Sequence, residues 1–115
     1  MSTEQNITIS QLRKQVAEFV SERNWEKYHT PKNLAESISI ESAELLEEFQ
    51  WKTVSEIDRE LGGKSGKIES VKEEIADVII YCLSLANELD IDLGQAVEEK
   101  IKLNRKKYPP GETNS

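Results

Sequence analysis

Glu41 and Glu44, and again Glu74 and Asp77, are acidic residues spaced three apart in a chain of 115 residues. Positions at that spacing share a helical face, so each pair sends two carboxylates the same way. On a helical wheel of residues 34 to 51, Leu34, Ile38, Leu45 and Phe49 form an apolar stripe, and Glu41 falls inside it with Glu44 and Glu48 on its flank. A helix that only buried an apolar face would not carry a carboxylate in its middle, because a buried unpaired charge is costly. The segment from Ile75 to Asn87 repeats the anomaly. Its one charge is Asp77, and Glu74, Asp77 and Tyr81 share the face beside the stripe of Ile68, Val71, Ile75, Val78, Ile79, Cys82 and Ala86.

If those two helices face each other, four carboxylates converge. Two full charges ~5 Å apart repel by about 3 kcal/mol even at an effective dielectric of roughly 20, so such a cluster requires a cation. Oxygen donors without thiols or several imidazoles suit Mg²⁺, with Mn²⁺ as a substitute. Magnesium readily takes phosphate oxygens as its remaining ligands, which points to a polyphosphate guest and metal-assisted attack on phosphate. The plain alternative is two solvated acidic faces, since glutamate is a good surface helix former. The repetition on two helices, with Asp77 isolated among apolar residues, favours the metal site.

Around these pairs stand residues with two readings each. Trp25, Tyr28, His29 and Trp51 flank the helix bearing Glu41, either as rings on the rim of a core or as surfaces on which a base could stack. Lys100, Lys102, Arg105, Lys106 and Lys107 form the one basic cluster, favourable near a helix C-terminus and able to clamp phosphate. Gly63-Lys64-Ser65 looks like the end of a phosphate-binding loop, but the motif needs glycine where Asp58 stands, so a flexible loop is the better reading. The Glu-x-x-His pairs of di-iron bundles are missing, His29 being the only imidazole.

The elements that must position these groups are helices. With five Gly, three Pro and apolar residues spaced by three and four, the chain reads as all-α, without a strand. The first helix opens at Thr8-Ile-Ser-Gln11 and runs to about Asn24. A connector from Trp25 to Lys32, ended by Pro31, leads to a second helix over about 32 to 51 and a short helical turn near 53 to 61. Gly62 to Gly66 break the pattern. The third long helix takes 67 to about 89, and Asp92 caps a fourth over 93 to about 107, stopped by Pro109-Pro110-Gly111. Four main helices with short connections form a bundle, or half of one completed across a dimer. A single domain spanning 1–115 is expected, with residues 1–6 and 111–115 as mobile polar tails.

Composition narrows the function classes. A formal charge of −7 argues against general affinity for nucleic acid polymers or anionic membranes. The longest uncharged run of the middle, Val78 to Asn87, is far shorter than the ~20 residues of a membrane span. The single Cys82 excludes a disulfide within the chain and fits a reducing, cytoplasmic setting, and the first residues carry no signal-peptide pattern.

The run Glu41-Ser-Ala-Glu44-Leu-Leu-Glu-Glu-Phe-Gln-Trp51, followed by Glu73-Glu74-Ile-Ala-Asp77-Val-Ile-Ile-Tyr81, resembles the ExxE…ExxD signature of the all-α MazG-like nucleotide pyrophosphohydrolases. The flanks Arg23-Asn-Trp25-Glu-Lys-Tyr-His29-Thr-Pro-Lys-Asn33 and Lys100-Ile-Lys-Leu-Asn104-Arg-Lys-Lys-Tyr108-Pro109 are similar to the dCTP pyrophosphatase branch. The resemblance covers about residues 10 to 109. It implies a four-helix bundle of the MazG-like type, completed in a homodimer or homotetramer. It also implies Mg²⁺-dependent hydrolysis of a nucleoside triphosphate, dCTP or a modified dCTP, to the monophosphate and pyrophosphate, a house-cleaning activity of nucleotide metabolism. Carried over by motif, Glu41, Glu44, Glu74 and Asp77 bind the metal and are catalytic. His29, Asn33, Trp51, Tyr81 and Asn104 line the nucleotide pocket with Trp25 as a further wall, and Lys100, Arg105 and Lys107 contact phosphate. Water is the expected nucleophile, because Cys82 and Ser84 lack a paired base.

Two departures from the family pattern stand out: the long Gly62 to Gly66 loop between the acidic pairs, and Ser42 where many relatives carry an apolar residue. Neither touches the four acids. A helical homodimeric interaction module and a metal-dependent nucleotide sensor that does not hydrolyse are the rival readings. Metal-dependent nucleotide binding separates the module from the other two, and pyrophosphate release separates enzyme from sensor.

Overall fold

A computed structural model describes residues 3–111, and every regular element among them is helical. α1 spans Ile9–Glu22, and its start is fixed by a reciprocal cap in which Gln11 N–H donates to Thr8 Oγ1 at 3.1 Å and Thr8 N–H to Gln11 Oε1 at 2.8 Å. It ends with Asn24 in the left-handed region at φ 55°, which lets Trp25 N–H reach back to the Val20 carbonyl at 3.1 Å. A single 3₁₀ turn, Glu26–Tyr28, then carries the chain to α2, Pro31–Glu47.

α2 differs from the sequence expectation at both ends. Pro31 opens the helix instead of ending the connector. Thr30 caps it by accepting from Asn33 N–H at 3.1 Å, and proline fits the first turn because its missing donor would have had no partner there. The helix stops at Glu47, short of Trp51, and residues 48 to 51 form turns. The expected short turn after it is a nine-residue helix, α3 (Val54–Gly62), opened by a second reciprocal cap between Thr53 and Glu56.

Gly66, at φ 82°, supplies the left-handed residue from which α4 (Lys67–Glu88) starts. Ser65 secures the corner, its hydroxyl donating to the Glu60 carbonyl at 2.9 Å. Asp90, at φ 52°, closes α4 as Asn24 closes α1, with Ile91 N–H returning to the Ala86 carbonyl at 2.9 Å. Arg13 crosses from α1 to the same end and donates to Asn87 Oδ1, Ala86 O and Ile91 O at 2.9, 3.1 and 2.6 Å. Asp92 caps α5 (Leu93–Lys107) through Gln95 N–H at 3.0 Å.

α4 is the hub. It packs most extensively on α2, then on α1 and at its start on α3, while α5 has no comparable contact with the rest. The buried apolar residues among those described are Val20, Leu34, Leu83 and Ala86, of which Leu34 and Leu83 are only 1% and 2% exposed. On α5, Val97, Ile101 and Leu103 face solvent. The chain is correspondingly open. Its accessible area is 9202 Å², against about 6,400 Å² for a compact monomer of this mass. Its radius of gyration is 17.2 Å, against about 13 Å.

Thr3 to Asn6 form a turn, with Asn6 N–H donating to the Thr3 carbonyl at 2.9 Å. The rest of the expected tails, residues 1, 2 and 112 to 115, lie outside the described residues. No described helix is long and apolar enough to cross a membrane.

Candidate active site

The site lies on the seam between α2 and α4. Lys67, at the start of α4, holds Glu48, at the end of α2, with Nζ to Oε1 at 2.8 Å, and further along Glu41 interacts with Asp77 and Glu74. The two helices therefore run antiparallel, and their acid pairs meet. Carboxylate oxygens of Glu41, Glu44 and Glu74 all lie within 4.8 Å of one another. Asp77 falls outside that tightest group but is near enough to repel both Glu41 and Glu74. Of the four acids singled out in the sequence, three are thus brought into one cluster and the fourth stands beside it.

The electrostatics record the crowding. Glu41 is pushed up to about 7, first by the hydrogen bond its protonated form makes with Glu44, then by burial and by repulsion from Glu44, Asp77 and Glu74. Glu74 is also raised, chiefly by burial, then by Glu44, Asp77 and Glu48. Glu41 Oε2 and Glu74 Oε2 are shielded from solvent and have no hydrogen-bond donor. Buried carboxylate oxygens without donors, grouped at this spacing and free of nitrogen or sulfur, fit a hard divalent cation that takes oxygen ligands.

A pH dependence follows from Glu41. Its folded-state value of about 7 lies above the ordinary 4.5, so the stability it contributes to the metal-free protein is present below about pH 4.5 and is lost as pH rises through about 7. A cation must displace that proton. Uptake of Mn²⁺ is therefore expected to release close to one proton at pH 6 and far less at pH 8, measured by calorimetry in buffers of different ionisation enthalpy. Proton release that does not change across this range would contradict the assignment.

Beside the acids, between α1 and α4, opens a cavity of about 460 Å³ whose lining includes Trp25, His29, Asp77, Tyr81 and Ser84. A smaller one of about 190 Å³ shares Trp25, His29 and Tyr81 and adds Tyr28, Asn33 and Ser37. The Trp25 ring is braced edge-on by Phe19, with centroids 5.7 Å apart, and the Arg23 guanidinium lies 3.7 Å over the Phe19 ring. Asn33 is fixed by donating from Nδ2 to the Tyr28 carbonyl at 3.0 Å. An aromatic, mixed-polarity recess touching Asp77 is suited to a nucleobase whose phosphates extend toward the acids.

Of the residues expected at the pocket, Trp25, His29, Asn33 and Tyr81 are therefore brought together. Trp51, Lys100, Asn104, Arg105 and Lys107 are not. Trp51 is 85% exposed in the turn after α2, and the other four lie on exposed positions of α5, away from both cavities. Val16, Phe19 and Val20 of α1 also line the larger cavity, a part not assigned to them from the sequence; the available signal was their apolar spacing by three and four, which leads directly to Trp25.

Residues 36–115 match the model of the MazG-like family. The chain belongs to that family. It is 40% identical over 102 residues to dCTP pyrophosphatase 1 of Homo sapiens and 39% identical over 102 residues to that of Mus musculus, covering 89% of this chain in each case. It spans 59% of the length of those two relatives. A crystal structure of a pyrophosphatase from Archaeoglobus fulgidus superposes with a TM-score of 0.78 at 45% identity, covering 95% of this chain and 99% of that one. A MazG-like chain is thus all-α here as in that solved relative.

Proposed function

We propose that this MazG-like chain is a nucleoside triphosphate pyrophosphohydrolase, cleaving between the α and β phosphates of dCTP or a base-modified dCTP to give the monophosphate and pyrophosphate. The supporting observation is the meeting of Glu41, Glu44 and Glu74 within 4.8 Å, with shielded, donor-less oxygens, at the edge of an aromatic recess that includes Asp77. The relatives named for dCTP pyrophosphatase favour the deoxycytidine nucleotide.

Glu41, Glu44, Glu74 and Asp77 would hold Mg²⁺, or Mn²⁺ in its place. Bound there, the cation supplies Lewis-acid activation of water and neutralises triphosphate charge. The protein's own groups do the rest. Trp25 offers a ring face to the base, and His29, Asn33 and Tyr81 offer the polar edges that orient it. The proton lost from Glu41 on metal uptake gives the site one further negative charge with which to neutralise a doubly charged ion. With no paired nucleophile and base on the seam, water attacks the α phosphorus directly.

Trp51, Lys100, Asn104, Arg105 and Lys107 join the substrate only in an assembly. The open shape and the apolar face of α5 support a homo-oligomer in which a second copy packs on that helix.

Turnover of dCTP in ¹⁸O-water tests the chemistry. Label in dCMP is the expected result. Label only in orthophosphate would establish a different reaction, and magnesium-dependent binding without any product would make the protein a sensor.

A further inference from the structure

One charged group on the seam takes no part in this scheme. Glu48 is one helical turn beyond Glu44 on the same face of α2 and contributes to the repulsion felt by Glu74. By type and position it is a fifth carboxylate at the cluster. Opposite it stands Lys67, two turns before Glu74 on α4 and with a side chain only 11% exposed. Its ammonium donates to Glu48 Oε1 at 2.8 Å and to the Glu48 main-chain carbonyl at 2.9 Å, and lies 3.4 Å from Glu60 Oε2. Glu60 is in turn held by Lys52 at 2.7 and 2.6 Å. The seam thus changes abruptly from acid facing acid, at Glu44 and Glu74, to acid facing base.

We propose that Lys67 is a positioning residue that ties up Glu48 and so closes the divalent-cation site at four carboxylates. The inference rests on reading those four as the metal site. Three donors of one ammonium are spent on the end of α2 and on Glu60, so the Glu48 carboxylate is paired with a positive charge and held by its bond to Lys67. Freed from Lys67, its carboxylate stands one turn from Glu44 with no other cation among the described residues bonded to it, and swings toward the cluster when a metal ion is supplied.

Mn²⁺ titration of the metal-free protein, without nucleotide, reads this directly. Lys67→Met is expected to bind Mn²⁺ roughly tenfold more tightly than the wild type, the ~1.4 kcal/mol of one added ligand, or to take up a further ion. Its melting temperature should rise more on Mn²⁺ addition than that of the wild type. Glu48→Gln/Lys67→Met should return both readings to wild-type values. Lys67→Gln carries the same expectation if the methionine variant does not fold. A purely structural lysine would lower the melting temperature and leave Mn²⁺ affinity equal or weaker in both single variants, and that pattern overturns the proposal. A wild type that takes up no Mn²⁺ would instead remove the parent reading of the four acids, and this one with it.

Discussion

Glu41→Gln and Asp77→Asn are each expected to slow pyrophosphate release from dCTP by about 10³-fold or more at saturating Mg²⁺, the scale of losing a group that stabilises charge in the transition state. The helical fold should survive, because both replacements keep the side-chain shape. For Glu41→Gln the metal-free protein should also melt at a higher temperature than the wild type. Glu41 is pressed by Glu44, by burial, by Asp77 and by Glu74, and an amide at that position feels none of the repulsion. Activity lost while apo stability rises is a combination that damage to packing does not produce. Near-wild-type turnover of either variant in saturating Mg²⁺ would remove the four-carboxylate assignment.

Dilution should destabilise the protein. The buried apolar residues among those described are Val20, Leu34, Leu83 and Ala86, while Ile75, Ile79 and Ile80 of α4 and Val97, Ile101 and Leu103 of α5 are exposed. The surface in excess of a compact monomer, about 2,800 Å² per chain by the scaling relation and so about 5,600 Å² for a pair, lies at the large end of obligate subunit interfaces. If burial of this surface between copies is what holds the chain folded, the melting temperature rises by roughly 3–5 °C for each tenfold increase in protein concentration. Scanning calorimetry over two decades of concentration, alongside sedimentation, checks this. A melting temperature independent of concentration, with sedimentation at the mass of one chain, would contradict it.

Two helix starts were legible because a side chain caps the backbone locally. Thr8 with Gln11, and Asp92, announce α1 and α5 because the hydrogen bond and the residues that make it lie within one turn. The same logic failed at Pro31, where the ring was read as a stop although Thr30 before it is a cap. The end of α2 was hidden because Phe49 continues the apolar spacing. What ends the helix near there is held partly by Lys67 taking the Glu48 carbonyl, a contact across nineteen positions that no local pattern encodes.

The acidic cluster was legible because a charge inside an apolar stripe is locally anomalous. It needed only the assumption that two such stripes meet. The recess beside it was half legible. Trp25, His29 and Tyr81 carry chemistry in their side chains, whereas Val16 and Ser84 matter only by where α1 crosses α4. The apolar residues of α5 are visible in the sequence, but their pattern does not say what packs on them, and among the described residues no helix packs on α5 as α2 packs on α4.

The antiparallel seam has a consequence for how this protein can vary. Opposed side chains on α2 and α4 choose each other by interdigitation and by the Glu48–Lys67 clasp, so the stretch between the helices, with α3 and Gly62 to Gly66, does not dictate which acids meet. Residues can be added to or removed from that hairpin near Gly63 and Lys64 without sliding one carboxylate past its opposite number. The spacer is a tether rather than a ruler, and descendants of this sequence are free to remodel it while the chemistry stays in register.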